Sequence, residues 1–253
     1  MTLRKNLIFL ALVGLGGPAI AQESPIATDR PGFLFSSLTV GRGVFQAELG
    51  LPSVTWADRG EDDTRTTSLV GLARLGIADN LELRLGAPFY NGRASDSGYG
   101  DLEIGAKWHL LDNEGGRPSI ALLPSVVLTT GEDGFSTEAE VYQLNAISEW
   151  TLDDSWGLGF LAGLLTSESG GDRFYQETFA LGLGRSLPSP AWIAYGEAAY
   201  VLTDLDGADD AGYLGAGVKY LITNDVQLDA SFDRGLTDGS ADWLFGLGLS
   251  ARF

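Results

Sequence analysis

The sequence predicts an all-β protein: a single antiparallel transmembrane β-barrel of about 12 strands. Three observations predict it. Apolar and polar or small residues alternate with a period of two through most of residues 43–253. The connections between the alternating segments are short and long in turn. The chain also closes on an aromatic residue, Phe253, at the end of an apolar alternation.

The first segment sets the compartment. Arg4 and Lys5 precede an apolar run from Leu7 to Leu15, which Gly16, Gly17 and Pro18 interrupt. Ala19-Ile20-Ala21 then gives an A-x-A pattern, so residues 1–21 read as a signal peptide cleaved before Gln22. The competing reading is a membrane anchor, but the run falls short of the ~20 residues that a spanning helix needs. Residues 22–42 follow as a periplasmic lead-in or plug segment. Pro31-Gly32 marks a turn there. Asp29 and Arg30 before it could dock into the periplasmic mouth and plug it; a flexible lead-in to the first strand is the simpler expectation.

Residues 43–253 form the barrel. The alternation places strands at about 43–56, 65–77, 80–90, 99–110, 118–129, 140–152, 156–167, 173–186, 191–203, 211–222, 225–236 and 241–253. Each is near the ~9–11 residues of a tilted membrane-crossing strand. In the third, Leu81, Leu83, Leu85, Ala87 and Phe89 share one face, and Glu82, Arg84 and Gly86 the other. Short connections lie at 78–80, 153–155 and 223–225, with turn-rich ones at 113–116 and 187–190. Longer, acidic ones are expected at 58–63, 91–98, 131–138, 167–172, 204–210 and 237–241. Short periplasmic turns, long outer loops and an even strand count are the pattern of outer-membrane barrels, with both termini periplasmic.

Alternation also suits a soluble sandwich, whose second face would be crowded with charge, above all lysine. Here that face is rich in Gly, Ala and Ser, as the concave interior of a closed barrel requires. Trp56, Tyr90, Trp108, Trp150, Trp156, Tyr175, Trp192, Tyr200, Tyr220, Trp243 and Phe253 sit near strand ends, as two interfacial girdles would.

Composition excludes other classes. There are 16 Lys+Arg against 34 Asp+Glu, a net charge of -18, and no cysteine. Disulfides, thiolate metal sites and cysteine nucleophiles are therefore excluded, and no basic footprint for nucleic acid exists. Loss of Arg4 and Lys5 with the signal takes the charge to -18 - 2 = -20. Mean hydropathy is only +0.06.

The inward face is expected to carry Glu48, Arg74, Glu82, Arg84, Asp101, Glu103, Lys107, Glu149, Glu197, Lys219, Asp229, Asp233 and Arg252, with Gln46, His109, Gln143, Asn145 and Gln227. This is either a polar lumen that filters solutes or a salt-bridge network that fills the barrel. Arg74, Glu82 and Arg84 lie on one hairpin and are expected to pair, whereas Asp101 and Lys107 are too far apart along a strand to do so. Ser125 with Asn145 or Asp101 could in principle surround His109, the one histidine, as in a barrel lipid hydrolase, but no histidine-serine motif is present. The acidic groups 61–63, 204–206 and 209–210 lack EF-hand spacing and read as solvated loops, with cation-bridged lipopolysaccharide a further possibility. No metal site and no cofactor are expected.

Thr28-Asp29-Arg30-Pro31-Gly32-Phe33, then Ser36 to Gly41 and Phe45 to Gly50, resemble the opening of the outer-membrane transporter family named for the meta-cleavage pathway of phenol degradation. Arg74 to Arg84, Gly100-Asp101 with Glu103 and Lys107-Trp108, Gln227-Leu228-Asp229 and the closing Gly248 to Phe253 resemble its other motifs, so the resemblance spans nearly the whole mature chain. It implies a porin-like barrel for passive uptake of small organic, including aromatic, solutes, and no enzyme. Expected partners are outer-membrane lipid and lipopolysaccharide, the barrel-assembly machinery and the solute. The alternatives are a closed structural or assembly barrel, a barrel lipid hydrolase and a soluble periplasmic sandwich.

Overall fold

A computed structural model describes residues 24–57, 64–94, 96–189 and 191–253. The expected signal segment 1–21 and the acidic group 61–63 lie outside the described residues. The strands are β1 (Phe45–Ala57), β2 (Thr64–Ala78), β3 (Leu81–Arg93), β4 (Asp96–Gly98), β5 (Leu102–Leu111), β6 (Ser119–Leu128), β7 (Val141–Thr151), β8 (Trp156–Ser169), β9 (Asp172–Ser186), β10 (Trp192–Thr203), β11 (Ala211–Thr223), β12 (Val226–Gly235) and β13 (Trp243–Arg252). Each barrel strand pairs antiparallel with its sequence neighbours, β3 with β5 across the short β4. The pairing of β1 with β13 closes the ring, so twelve strands form the barrel and β4 is an added hairpin strand on β3. Closure leaves no unpaired edge in lipid.

The outward positions are apolar and uncovered: Leu83, Ile104, Leu144, Leu164, Leu181, Leu214, Leu228 and Leu247 are all exposed. A continuous apolar belt of this kind is the face that meets acyl chains. Aromatic rings border it at both ends. Trp108, Trp192 and Phe253 are exposed at the short-turn end, and Trp56, Tyr175, Tyr200 and Trp243 at the other. Trp192 packs on Tyr220 at 4.6 Å, and the Arg234 guanidinium lies 4.0 Å over the Trp243 ring. At that level a ring keeps one edge in headgroups and its body in hydrocarbon.

Two connections differ from expectation: at 91–98, β3 runs on to Arg93 and β4 folds back on it as a short hairpin, and a second expected loop is shorter still. Residues 167–172 are not a long loop: β8 and β9 stay paired out to Ser169 and Asp172 and turn through Gly170-Gly171, both at positive φ. A two-residue turn of this hand needs residues without a Cβ penalty. The polar run Thr166 to Ser169 looked like loop because these strands rise above the hydrocarbon, where outward positions are wet. In β1 the register shifts between Gly50 and Ser53. This irregularity accommodates Pro52, which cannot donate to a ladder.

Candidate functional site

Residues 24–44 carry no regular structure, yet they are not a flexible lead-in. They fold up into the barrel as a hairpin-shaped plug. The ascending limb is tied at the rim, where Ile26 N donates to Asn224 O at 2.7 Å. The chain turns at Pro31-Gly32, with Gly32 at φ +90°, beside Glu197. The descending limb returns to the same rim, where Thr39 Oγ1 donates to Asp79 O at 2.7 Å and Gly43 N to Gly76 O at 2.8 Å. The simpler sequence expectation is therefore corrected. The reason is long-range: Asp29 and Arg30 find their counter-charges on strands tens of residues away.

Irregular backbone buried inside a barrel must find hydrogen-bond partners, and the inward side chains supply them. Glu48 accepts from Asp29 N, Glu82 from Val40 N at 2.9 Å, Glu197 from Phe33 N at 2.9 Å and Glu149 from Ser37 N at 2.6 Å. Gln46 Nε2 donates to Ala27 O at 2.9 Å, and Gln227 Nε2 to Thr28 Oγ1 at 3.0 Å. The polar face of strands β1, β2, β3, β7, β10 and β12 thus doubles as a mould for the plug.

The centre of the mould is a six-charge cage. Arg74 Nε and Nη2 donate to the two Glu82 oxygens, and Nη1 to Glu48 at 2.9 Å; Ala27 O and Leu38 O on the plug take its remaining bonds. All five guanidinium hydrogens are used. Lys107 Nζ donates to both Asp29 oxygens, at 2.7 and 2.9 Å, and to Ser36 O at 2.7 Å. Arg84 donates to Asp29 and, at 3.0 Å, to Glu82. Three cations face three carboxylates. Burial alone would raise the Asp29 carboxyl, but Arg74, Arg84 and Lys107 outweigh it and hold it far below the usual carboxylate range. Arg30, next in sequence, reaches the other way, to Asp229 at 3.3 Å and to Leu247 O at 2.9 Å.

The rest of the plug is apolar, and so is its seat. Phe33, Leu34 and Phe35 pack against Ala121, Leu123, Ile147, Leu161, Ala180 and Ala199, and Phe33 lies 5.1 Å from the Tyr213 ring. A Cβ at Gly182 would overlap Leu34 Cδ1, and one at Gly248 would overlap Arg30 Nε. These inner-face glycines are sockets for plug side chains. Sequence reasoning missed this apolar seat. The available signal was Ser119–Leu128, whose run is apolar on both faces.

The plug divides the remaining space. A cavity of about 470 Å³ opens on the long-loop side, lined by Asp29, Arg30, Phe35, Arg84, Glu103 and Gln143, with Val70, Leu72, Pro88, Leu123, Val127 and Phe135. A second, of about 440 Å³, lies on the short-turn side and includes Thr28, Leu34, Ser37, Glu149, Glu197 and Lys219. A smaller one of about 210 Å³ beside Pro31-Gly32 includes Asp233 and Ser231.

The other expected residues fall as follows. Arg252 does not line the passage: it clamps the rim, donating to Asp225 Oδ1 at 2.8 Å and to Ser24 O at 2.8 Å. Asp101 does not pair with Lys107. It pins an outer loop by accepting from Thr130 N, Gly131 N, Ser136 Oγ, Thr137 N and Thr137 Oγ1. Burial pushes its carboxyl up, but these bonds pull it down to about 2. The loop contribution is therefore present above the ordinary aspartate range and is lost as the pH falls toward about 2. Asp101→Asn puts an amide NH2, itself a donor, where a carboxylate oxygen accepted from N–H and O–H groups. It is expected to raise proteolysis at 131–138 roughly tenfold at neutral pH, and pepsin at pH 2 is expected to reproduce that cleavage in the unaltered protein. His109 bonds Ser37 O and Asp112. Ser125 pairs in register with Gly105, four positions along β5, about 13 Å of strand from His109. No nucleophile–base pair forms there.

Solved structures of similar fold are membrane barrels. The chain superposes on the COG4313 outer membrane channel from Pseudomonas putida F1 with a TM-score of 0.66 at 16% identity, covering 88% of this chain and 99% of that one. For the NanC porin the values are 0.57 and 10%, with 82% and 98% covered. For the KdgM porin they are 0.51 and 11%, with 83% and 99% covered. No curated protein matches. Residues 28–253 match the model of the family described as "Putative MetA-pathway of phenol degradation". The match takes in the plug from Thr28 onward and the whole barrel, and the chain belongs to that family.

Proposed function

We propose that this chain is a plugged outer-membrane channel for passive uptake of small organic solutes, aromatic ones among them. The observation that carries the reading is the pair of cavities of about 470 and 440 Å³ on opposite sides of one short, uncrossed segment. A barrel built only to be closed has no need of vestibules on both sides of a detachable stopper. Stopper and walls are also not covalently joined along residues 24–42. They meet through ion pairs and small apolar contacts, which can be exchanged. The upper walls, with Phe35, Phe135, Val70 and Leu123, suit an apolar ring, and the fold is shared with proteins described as channels and porins. Diffusion is the mechanism, and no cofactor takes part.

Liposome swelling tests the reading. Proteoliposomes of the folded barrel are expected to admit small organic solutes faster than empty vesicles. Removal of residues 24–42 is expected to raise that rate. A folded barrel that passes no solute with or without the segment is a closed structural barrel instead.

A further inference from the structure

We propose that the outer cavity is a binding site for a small organic monoanion, a carboxylate on an apolar body, whose carboxylate takes the place of Asp29 against Arg84 and Lys107. The inference rests on the channel reading above and names the solute class for it.

Charge balance carries the argument. With the plug seated, Arg74, Arg84 and Lys107 face Asp29, Glu48 and Glu82, and the cage is neutral. Glu48 and Glu82 belong to the wall, but Asp29 belongs to the plug. If the plug leaves, three cations face two carboxylates. An uncompensated charge in a confined, poorly solvated site is costly. An anion entering the cage removes that cost, and a neutral solute does not. The other plug charge needs no such exchange. When Arg30 leaves Asp229, Lys219 remains, directly opposite Asp229 in the β11–β12 register.

The cavity is placed for the exchange. Asp29, Arg30 and Arg84 form part of its lining. Arg84 is 7% exposed, and its Nε–H has no partner; neither has the Nε–H of Arg30. Arg84, which stays in the wall, therefore keeps an unused guanidinium donor for a carboxylate that displaces Asp29. In the rest of the wall Val70, Leu72, Pro88, Val127 and Phe135 give an apolar body a surface to pack on, beside the acidic Glu48, Asp101 and Glu103. The volume lies within the ordinary range of small-molecule sites, about 300–1,000 Å³.

Calorimetric titration of the full barrel with benzoate and with its neutral isostere benzamide tests the site. Benzoate is expected to bind about tenfold or more tightly than benzamide. In Asp29→Asn the internal competitor is neutral, so benzoate is expected to bind about tenfold more tightly still, with benzamide unchanged. Equal affinities for the two probes, no gain in Asp29→Asn, or no benzoate binding in either protein overturns the proposal. Neither arm depends on removing a cage cation, so both read on a folded barrel. A barrel that binds benzoate with these preferences yet passes no solute refutes the channel reading alone. One that passes solutes but binds both probes equally refutes this site alone.

Discussion

Asp29→Asn is expected to open the barrel. The substitution keeps shape and removes one charge. It abolishes the ion pairs that Asp29 makes with Lys107 and Arg84 and leaves the cage with one cation too many. Removing one partner of a buried pair costs about 3–5 kcal/mol. That loss falls on the seated state, because Asp29 leaves with the plug while the wall keeps its own Glu48 and Glu82. A shift of this size changes the seated-to-released ratio by roughly 10²–10⁴. In planar bilayers the variant is expected to show frequent, larger openings where the unaltered protein is mostly closed. Heat-modifiable electrophoretic migration should stay native, because no strand pairing depends on Asp29. Unchanged conductance in the folded variant would show that Asp29 does not hold the plug.

Arg74→Met is expected to damage the barrel itself. Arg74 is fully buried and spends all five of its hydrogens on Glu48, Glu82, Ala27 O and Leu38 O. Its carboxylate partners lie on β1 and β3, to either side of β2. Methionine matches the apolar stem and offers no donor. Two wall carboxylates are then left sharing Arg84 and Lys107, at an expected cost of about 3–5 kcal/mol. Unfolding in urea, followed by tryptophan fluorescence, is expected to shift to lower concentration and refolding yield to fall. Arg74→Lys should recover only part of the loss, because an ammonium cannot present the fork that holds both Glu82 oxygens. The two variants therefore separate the roles: Asp29 fastens the plug, and Arg74 fastens the wall to which it is fastened.

Much of this architecture was legible in residue order. The period of two located all twelve barrel strands to within a few residues. Turn composition separated the short connections from most of the long ones, and the pairing of Arg74, Glu82 and Arg84 followed from their places on one hairpin. The plug was legible only as a possibility. Residues 24–42 have no hydrophobic period, and their docking rests on contacts such as Asp29 with Lys107 and Arg30 with Asp229, which no local pattern encodes. The inner glycines were read as relief from crowding in a concave wall. Gly182 and Gly248 show a more specific use, as sockets for Leu34 and Arg30. Ser167 misled because a polar residue high on a strand resembles a loop residue. The acidic balance also divides: Asp29, Glu48, Glu82, Glu149 and Glu197 are spent on the plug and its mould, and Asp101 on an outer loop.

Residues 24–42 are expected to close the lumen that they occupy. Leu34 on the plug meets Gly182 on β9 inside the lumen, toward the short-turn side. The chain has no cysteine of its own, so Leu34→Cys with Gly182→Cys gives a single thiol pair without competitors. The shorter side chain at 34 removes the Cδ1 that a Cβ at 182 would overlap, so the two thiols are introduced at adjoining positions. This pair is built into the Asp29→Asn background, and its single-channel conductance is recorded oxidised and then reduced. The prediction is that the crosslink forms in the membrane-inserted barrel, that the oxidised protein stays closed despite Asn at 29, and that reduction opens it. A pair that does not crosslink in the folded barrel, or a crosslinked protein that conducts as well as the reduced one, would contradict it.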